Sequence, residues 1–423
     1  MKMIKLGELA DIRISNVDKK SKPGETPVCL CNFTDVYNNW AITSSHLHDL
    51  MKATANDQQI EKFSLQKGDV VITKDSETRD DIGMSAYIAD DFSNVVLGYH
   101  CALIRPKKDL LNGKYLNAFL NSSTARKYFS NFASGSGQRY TLIDSSIKDI
   151  MIPVIPLEEQ EKIGNVFSHI DAKIENNNII IHSLEEMAHT IYDYWFLQFE
   201  FPNSDGKPYK SSGGKMVWNE ELERNIPEGW KSGRISDLGN IVGGGTPSTT
   251  HSEYYTKQGI AWMTPKDFAG SNNIFVSHGG RDITEDGLRN SSATLMPQGT
   301  VLMSSRAPIG YLGIASNELC TNQGFKSIVP TKSYCSEFIF FTLQTIMPYI
   351  KQFGTGSTFS EVSAGEFASV KVLLPHTKIS NAFGEKISSI FAMIKNLEEE
   401  NQRLSSLRDF LLPLLMNGQV LIG

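Results

Sequence analysis

Thr78-Arg79-Asp80-Asp81-Ile82-Gly83 returns later in the chain as Ser305-Arg306-Ala307-Pro308-Ile309-Gly310. The neighbouring segments repeat as well, since 68–72 is similar to 299–303 and 102–106 to 326–330. Each copy then runs through a proline into a long segment whose apolar residues recur at helical spacing. A period of about half of the 423 residues is too long for a solenoid repeat. The repeat therefore predicts two copies of one domain, each followed by one long helix.

Within each copy the pattern predicts an α+β fold of mixed strands and short helices. Residues 70–72 and 102–104 are short apolar runs bounded by turn residues, as buried strands are. Residues 116–129 have a more helical pattern, and 134–137 read Ser-Gly-Ser-Gly, which predicts a loop. The resulting domain assignment is a first globular domain at 1–157, a central helix at 158–202, a polar linker at 203–225, a second globular domain at 226–376 and a C-terminal helix at 377–423.

Both long segments have the heptad spacing of a coiled coil. We expect Pro413 to kink or end the second helix, with Asn417 and Gly418 as its cap. The predicted helix-pairing residues are Ile163, Phe167, Ile170, Ile174, Asn177, Ile181, Leu184 and Ile191 in the first helix, and Ile387, Ile390, Ile394, Leu397, Asn401, Leu404 and Leu411 in the second.

Each heptad seam contains one asparagine. If the helices pair antiparallel with their centres aligned, Asn177 falls opposite Asn401 and Ile181 opposite Leu397. A polar pair inside an apolar seam fixes the register of the helices at some cost in stability. Alternatively, both asparagines lie at the edge of the seam and contact water.

The bulk composition is that of an ordinary globular protein with a formal net charge of −6. An acidic total gives no support to a nucleic-acid footprint over the whole molecule, although a basic face remains compatible with it. Five scattered cysteines favour a reduced compartment. The first residues lack the apolar core of a signal peptide, and no apolar run reaches the roughly 18 residues of a membrane span. We therefore expect a cytoplasmic protein.

Catalytic and metal-binding motifs are absent from the sequence. There is no G-x-x-x-x-G-K-[ST] loop, and Cys29-x-Cys31 and His46-x-His48 have the wrong spacing for structural zinc. The stretch 353–356, Phe-Gly-Thr-Gly, is similar to the loop with which methyltransferases hold S-adenosylmethionine, but the Asn/Asp-Pro-Pro-aromatic tetrapeptide of adenine methyltransferases is missing. The same loop also has a partner in the other copy, at 134–137. We expect no catalytic residue, no metal and no cofactor in this chain.

A polar, basic and aromatic set remains at matching places of the two copies. Arginine suits guanine and phosphate, glutamine and asparagine suit adenine, and serine and threonine suit phosphates or base edges. Such residues are common in any surface loop, and only their duplication favours a common function. The candidate DNA-binding residues are Lys74, Ser76, Thr78, Arg79, Ser136, Gln138, Arg139 and Tyr140 in the first copy, and Ser304, Ser305, Arg306, Asn322, Gln323, Thr355, Ser357 and Thr358 in the second.

Several longer motifs occur together along the whole chain. They are 67–78 with 81–83, 155–160 with 194–196, 227–230, 283–288, 299–302, 305–310, 321–324 and 407–413. With these motifs the chain resembles the DNA-specificity subunits of Type I restriction–modification systems. It departs from that pattern at 375–378, which read Pro-His-Thr-Lys where the family usually repeats Pro-Leu-Glu-Glu-Gln.

The resemblance implies a non-catalytic subunit that binds double-stranded DNA. In that family each globular domain is a target-recognition domain that reads one half of a split sequence, and the two long helices pack antiparallel as a ruler in a pseudo-two-fold arrangement. The implied partners are two modification (methyltransferase) subunits and restriction (ATP-dependent translocase and nuclease) subunits. S-adenosylmethionine, ATP and Mg²⁺ would then be bound only by those partners.

Three other functions remain open from the residues alone. A complete modification enzyme would need the catalytic tetrapeptide that the chain lacks. A protein-interaction scaffold with twin domains fits the long helices equally well. A specificity subunit of a modification-only system, without a cleavage partner, has the same sequence features.

Overall fold

A computed structural model describes residues 2–136, 139–270, 273–354 and 360–420. The chain divides into two compact units, Met1–Asn176 with Asn401–Gly423 and Asn177–Glu400. Each unit contains one globular domain and a segment of each long helix. In the described part of the chain, no helix is both long and apolar enough to cross a membrane.

The first unit is built mainly from short strands, with small helices on the surface of its sheets. Its elements are β1 (Lys2–Lys5), α1 (Leu6–Leu9), β2 (Ala10–Ile14), β3 (Thr26–Cys31), α2 (Phe33–Asn38), β4 (Ala41–Ile42), β5 (Met51–Ala55), α3 (Asp57–Phe63), β6 (Val70–Thr73), β7 (Asp75–Ser76), β8 (Ser85–Ile88), β9 (Val95–Leu97), β10 (Cys101–Pro106), α4 (Gly113–Leu120), α5 (Ser123–Phe132), β11 (Ser134–Ser136), β12 (Arg139–Thr141), α6 (Asp144–Lys148), β13 (Met151–Val154) and the start of α7 (Leu157–Tyr192).

The central sheet of this unit has the order β2-β10-β6-β8-β4, with β4 parallel to β8 and the other pairs antiparallel. Because side chains alternate along a strand, Val70 and Ile72 face one core and Val71 faces another. The first core is closed by α4 and α5, which contribute Tyr115 and Phe129. The second is closed by the smaller sheet β5-β3-β9.

Among the described residues the second unit has fewer α-helices of its own than the first, and the polar segment 203–225 leads into it. Its elements are the end of α7, β14 (Met216–Asn219), β15 (Arg224–Pro227), β16 (Lys231–Arg234), β17 (Gly239–Gly243), β18 (Tyr255–Thr256), β19 (Trp262–Met263), β20 (Phe275–Val276), β21 (Asp282–Ile283), α8 (Glu285–Arg289), β22 (Val301–Ser305), β23 (Ile309–Ala315), β24 (Cys320–Thr321), β25 (Lys326–Pro330), α9 (Ser336–Ile350), α10 (Ala364–Ser369), β26 (Lys371–Leu374) and α11 (Thr377–Met416).

The predicted repeat is confirmed by the topology of the two units. The sheet of the second unit has the order β17-β25-β22-β23-β20, and its edge strand β20 is again parallel to its neighbour. The register is the same to the residue: Ile104 pairs with Val70 in the first unit, and Ile328 pairs with Val301 in the second. The α+β class predicted from the sequence is therefore correct.

The polar segment 203–225 differs from the predicted linker. It contains β14 and the start of β15, which form an antiparallel hairpin. Tyr209 stacks on Phe201 with ring centroids 4.6 Å apart, and Phe201 stacks on Trp230 at 4.9 Å. The aromatic rings fold this segment onto the second unit, although its many polar residues and glycines are typical of a connection.

In each unit α7 and α11 share one core, and in the second unit they run in opposite directions. In the first unit Phe167 shares a core with Leu412. In the second unit Asn177 donates to Glu400 at 2.8 Å, and Tyr192 lies 5.9 Å from Phe383 between ring centroids. Residue numbers thus rise in one helix as they fall in the other. α11 also continues past Pro413 to Met416, and Gly418 follows with φ 65°.

The predicted helix-pairing residues have different degrees of burial. The buried ones are Ile163, Phe167, Ile170, Asn177, Ile181, Ile387 and Ile394, and the partly buried ones are Ile174, Leu184, Ile191, Ile390, Leu397, Asn401, Leu404 and Leu411. Asn177 is fully buried, which excludes the water-exposed alternative for this residue. The pairing of Asn177 with Asn401 would join the two units and stays a prediction.

The glycine shared by both repeated turns is required by the fold. Gly83 and Gly310 have φ of 79° and 107°. A Cβ on Gly83 would lie 2.5 Å from the buried Phe129 ring on α5. One on Gly310 would lie 2.9 Å from Met347 on α9. Each turn therefore packs directly against a helix.

We expect Gly83→Ala to lower the free energy of unfolding by about 2–5 kcal/mol, since it adds a clash to the cost of a left-handed backbone. Gly24→Ala is the matched control, because Gly24 has φ 83° and open space around it. The control should lose only the backbone contribution, about 1–2 kcal/mol. Urea unfolding of both variants measures the difference, and equal losses would contradict a packing role for Gly83.

Candidate nucleic-acid interface

A buried carboxylate organises the polar surface of the first unit. Asp75 in β7 accepts hydrogen bonds from Lys74 Nζ at 2.9 Å, Thr141 Oγ1 at 2.6 Å and Arg139 Nη2 at 3.2 Å. His100 Nδ1 lies 2.7 Å from the same carboxylate. These residues come from the ends of β6 and β10 and from β12, so the strand pairing brings them to one edge of the domain.

The surroundings of Asp75 favour its charged form. Burial alone raises the pKa of this carboxyl, but hydrogen bonds from Thr141, His100 and Lys74 together hold the pKa well below its usual value. The charge is therefore present at all ordinary pH values. It fixes the orientation of Arg139, whose side chain remains more than half exposed.

Arg79 lies in the exposed turn that follows β7. Its guanidinium lies 5.2 Å from the centre of the Tyr140 ring, within the range of a cation–π contact. Ser76 Oγ accepts the Thr78 N–H at 3.2 Å, which shapes the same turn. The turn borders an open cleft of about 580 Å³ that Arg139, His100 and the Tyr37 ring also line. Cations, hydroxyls and aromatic rings thus line one concave surface together with the carboxylates of Asp75, Glu77 and Asp81.

The second unit places a different set of charges at the equivalent edge. Arg306 Nη1 lies 3.4 Å from Glu361 Oε2, and Lys326 Nζ lies 3.4 Å from Glu361 Oε1. Arg306 also forms a β-bridge with Glu361. Here two cations share one partly exposed carboxylate, whereas in the first unit several donors surround a buried one.

The hydrogen-bond register corrects the pairing of the two repeated arginines. Leu142 N–H donates to Lys74 O, and Val362 N–H donates to Ser305 O. Ser305 is therefore equivalent to Lys74, and Arg306 to Asp75, not to Arg79. The glycines still correspond, but seven residues lie between Asp75 and Gly83 and only three lie between Arg306 and Gly310. Arg79 lies in the extra length of the first turn and has no counterpart.

Ser304 and Ser305 are buried, so their side chains are not available to a ligand in this structure. Ser304 Oγ donates to Pro308 O at 2.7 Å and accepts the Tyr311 N–H at 2.8 Å. Thr73 has the same role in the first unit, where its Oγ1 accepts the Met84 N–H at 3.0 Å. These hydroxyls hold the turn in shape. As direct DNA contacts the two serines are not supported, because burial removes them from the surface.

Two further candidates of the second unit, Asn322 and Gln323, lie on one turn. Asn322 Oδ1 accepts the Gly324 N–H at 2.8 Å, and the exposed Gln323 accepts a hydrogen bond from Thr246. Ser136 ends β11 in the first unit. Gln138, Thr355, Ser357 and Thr358 lie outside the described residues.

Four site residues were missed by the sequence reasoning: His100, Thr141, Lys326 and Glu361. The partners are far apart in the chain, and the strand register that unites them is not visible from spacing. Lys326 begins the repeated strand segment 326–330, and a lysine at the start of an apolar run is a usable signal. Among the described residues no group of three His, Cys, Asp or Glu side chains could hold a metal ion.

The sequence profile of the Type I restriction modification DNA specificity domain matches residues 1–186 and again residues 227–407. The chain belongs to this family. The two matches fall on the two copies of the repeat, so the family's domain occurs twice in the chain.

Individual relatives agree with this assignment. The chain is 36% identical over 199 residues to the Type I restriction enzyme MjaIX specificity subunit of Methanocaldococcus jannaschii, which covers 46% of each chain. It is 25% identical over 411 residues to the HindI specificity subunit of Haemophilus influenzae, covering 85% of this chain and 88% of that one. The chain thus spans about half of the first relative and most of the second.

A solved structure shows the same fold. The S subunit of a Type I restriction–modification system from M. genitalium is similar with a TM-score of 0.54 and 14% sequence identity, over 98% of this chain and 95% of that one. At this identity the likeness establishes the fold alone. Charge clusters such as the one around Asp75 must be judged on this chain's own residues.

We expect Asp75→Asn to lower the free energy of unfolding at neutral pH by about 1–3 kcal/mol, because an amide cannot replace a carboxylate facing several donors. The folded pKa of Asp75 lies below its unfolded value, so its contribution is present above about pH 4 and is lost as the pH falls. The difference in the free energy of unfolding between wild type and variant should therefore disappear at acidic pH. Unfolding at neutral and acidic pH measures it, with the exposed Asp109→Asn as control. A gap independent of pH would contradict the assignment.

Proposed function

We propose that this chain is a non-catalytic, sequence-specific DNA-binding subunit that reads an asymmetric, two-part site. Each globular domain would read one half-site. One observation carries the proposal: equivalent edges of two domains with the same register hold different charged groups, Asp75 with its donors in one and Arg306 with Glu361 in the other. Two domains with the same fold and different charged groups at the equivalent edge would recognise two different DNA sequences.

The chemistry of the first edge suits a nucleic acid. Arg79 and Arg139 are exposed cations, and Tyr140 offers an aromatic face beside them. Arginine can donate two hydrogen bonds to guanine or to a phosphate, whereas lysine acts as a point charge. An ordered cation on an otherwise acidic chain gives the local positive charge that DNA binding requires.

The long helices would hold the two domains at the separation of the half-sites and would dock the modification subunits. Both helices expose large apolar side chains, which mark interaction surfaces on otherwise polar helices. They are Ile179, Ile180 and Met187 on α7 and Met393, Leu407 and Phe410 on α11. A restriction subunit would join through the modification subunits. S-adenosylmethionine, ATP and Mg²⁺ would be bound by these partners, and the complex would work in the cytoplasm.

Methylated adenines in DNA from cells that carry this chain with its modification partner test the proposal. We expect one asymmetric sequence of two short parts separated by a fixed number of unspecified bases. Methyl transfer by the purified chain alone would contradict the non-catalytic assignment. Salt-independent association, or methylation without a two-part sequence, would contradict DNA reading by twin domains.

We expect Arg79→Ala to weaken binding to one half-site by about 1–3 kcal/mol if the arginine contacts a base. Arg79→Lys keeps the charge without the planar donor pair, so it should restore binding only if the contact is to a phosphate. The measurement is the affinity for duplexes in which one or the other half-site is altered. Arg306→Ala is the reciprocal control, because its loss should follow the other half-site. Unchanged binding of Arg79→Ala would place Arg79 outside the interface.

A further inference from the structure

The edge strand of the second domain is fixed by an element outside its sheet. β20 pairs on one side with β23, where Ile314 N–H donates to Ile274 O at 2.7 Å and Ser316 N–H donates to Val276 O at 2.8 Å. An edge strand presents further N–H groups that its own sheet cannot satisfy. In a buried position these groups need another acceptor.

Glu398 on α11 supplies that acceptor. Its two oxygens accept the N–H groups of Ile274 at 2.7 Å and Phe275 at 2.9 Å. The side chain is only 2% exposed, and the Phe275 ring packs against Phe391, about two helical turns before Glu398 on α11, with ring centroids 5.9 Å apart. Burial raises the pKa of Glu398 to about 8; the two N–H donors oppose the rise and Glu185 on α7 adds to it.

The first domain has a comparable clamp at the equivalent strand. Tyr87 N–H donates to Trp40 O and Ala89 N–H to Ile42 O, which matches the pairing of β20. One residue after β4, Thr43 Oγ1 donates to Glu175 on α7 at 2.5 Å. Ser45 Oγ donates to the same carboxylate oxygen.

Packing supports the clamp in the first domain as well. The Trp40 ring lies 5.9 Å from the Phe167 ring of α7, and the Arg408 guanidinium of α11 lies 5.0 Å from the Trp40 ring. In each unit the same edge strand therefore contacts a long helix through a carboxylate and an aromatic ring. In the second unit the carboxylate accepts from backbone N–H groups at the start of β20, and in the first it accepts from side-chain hydroxyls just after β4.

Stability alone does not account for a carboxylate at this place. Removing a carboxylate from water is costly, and apolar side chains of similar volume often stabilise a protein as well or better. Two hydrogen bonds to adjacent backbone N–H groups differ from apolar packing in being directional. They fix the angle between the strand and the helix. Apolar contacts constrain that angle less, because they are not directional.

We propose that Glu398 and Glu175 are positioning residues that lock the edge strand of each recognition domain to a long helix and thereby set the angle at which the domain meets its half-site. This inference rests on the proposed function. Changing the separation of the half-sites by one base pair moves one of them by about 3.4 Å and rotates it by roughly 35° about the DNA axis. A locked domain cannot follow that change, whereas a loosened domain can.

The test uses the full-length chain assembled with its modification subunits and duplexes that carry the mapped site at its own separation or one base pair longer. Glu398→Gln keeps one acceptor, and Glu398→Met keeps the volume without any acceptor. We expect the preference for the native separation to fall by about tenfold in Glu398→Met, the equivalent of about one hydrogen bond, and by less in Glu398→Gln. Affinity for the second half-site alone should stay unchanged.

Glu385→Gln and Glu385→Met are the matched controls, because Glu385 is an exposed carboxylate on the same helix. Amide hydrogen exchange in the absence of DNA tests the clamp independently: Ile274 and Phe275 should exchange faster in Glu398→Met than in the wild type. Wild-type exchange in that variant, or an unchanged separation preference, would overturn the inference. A wild-type complex without any separation preference would instead remove the proposed function, while the exchange rates would still decide whether the clamp exists.

Discussion

The pairing of one buried strand with two neighbours is the constraint on which both domains depend. β6 lies between β10 and β8, and β22 lies between β25 and β23. Because side chains alternate, a slip of one residue would move Val71 and Leu103 from their core to the opposite face. The pairing of these strands therefore cannot shift by one residue, and it determines which residue lies at the end of the strand. Asp75 and Arg306 occupy that place. The charges that differ between the two units therefore begin where the strand pairing that they share ends.

The sequence predicted the parts of the structure that repeat locally. The duplicated strands, the shared glycine and the two long helices come from periodic or contiguous signals, and the structure has all three. The sequence aligns Arg306 with Arg79 because both precede an Ile-Gly pair. An insertion in a surface turn costs little free energy, however, and it leaves the Ile-Gly pair in place. Only hydrogen bonds from distant strands show that Arg306 corresponds to Asp75. The burial of Ser304 and Ser305 is likewise a property of the packed turn, since their composition is that of any exposed loop.

The two edges show how an acidic chain can present ordered cations. A flexible arginine must lose side-chain entropy on binding, and a carboxylate partner reduces that loss beforehand. Asp75 holds Arg139 while most of the arginine side chain stays exposed. Glu361 holds both Arg306 and Lys326, although at longer distances. The first edge is thus the more strongly preorganised of the two, because its carboxylate is buried and accepts from more donors.

The long helices are components of the domain cores. Phe167 from α7 and Leu415 from α11 lie in the core of the first unit, and Ala188 and Phe383 from the same two helices lie in the core of the second. The first unit therefore needs two separate stretches of chain to complete its core, whereas the second uses one stretch, Asn177–Glu400, with a segment of a long helix at each end. A Gly/Ser-type tether allows a domain to rotate freely at its end, but a helix that is packed into the domain cannot.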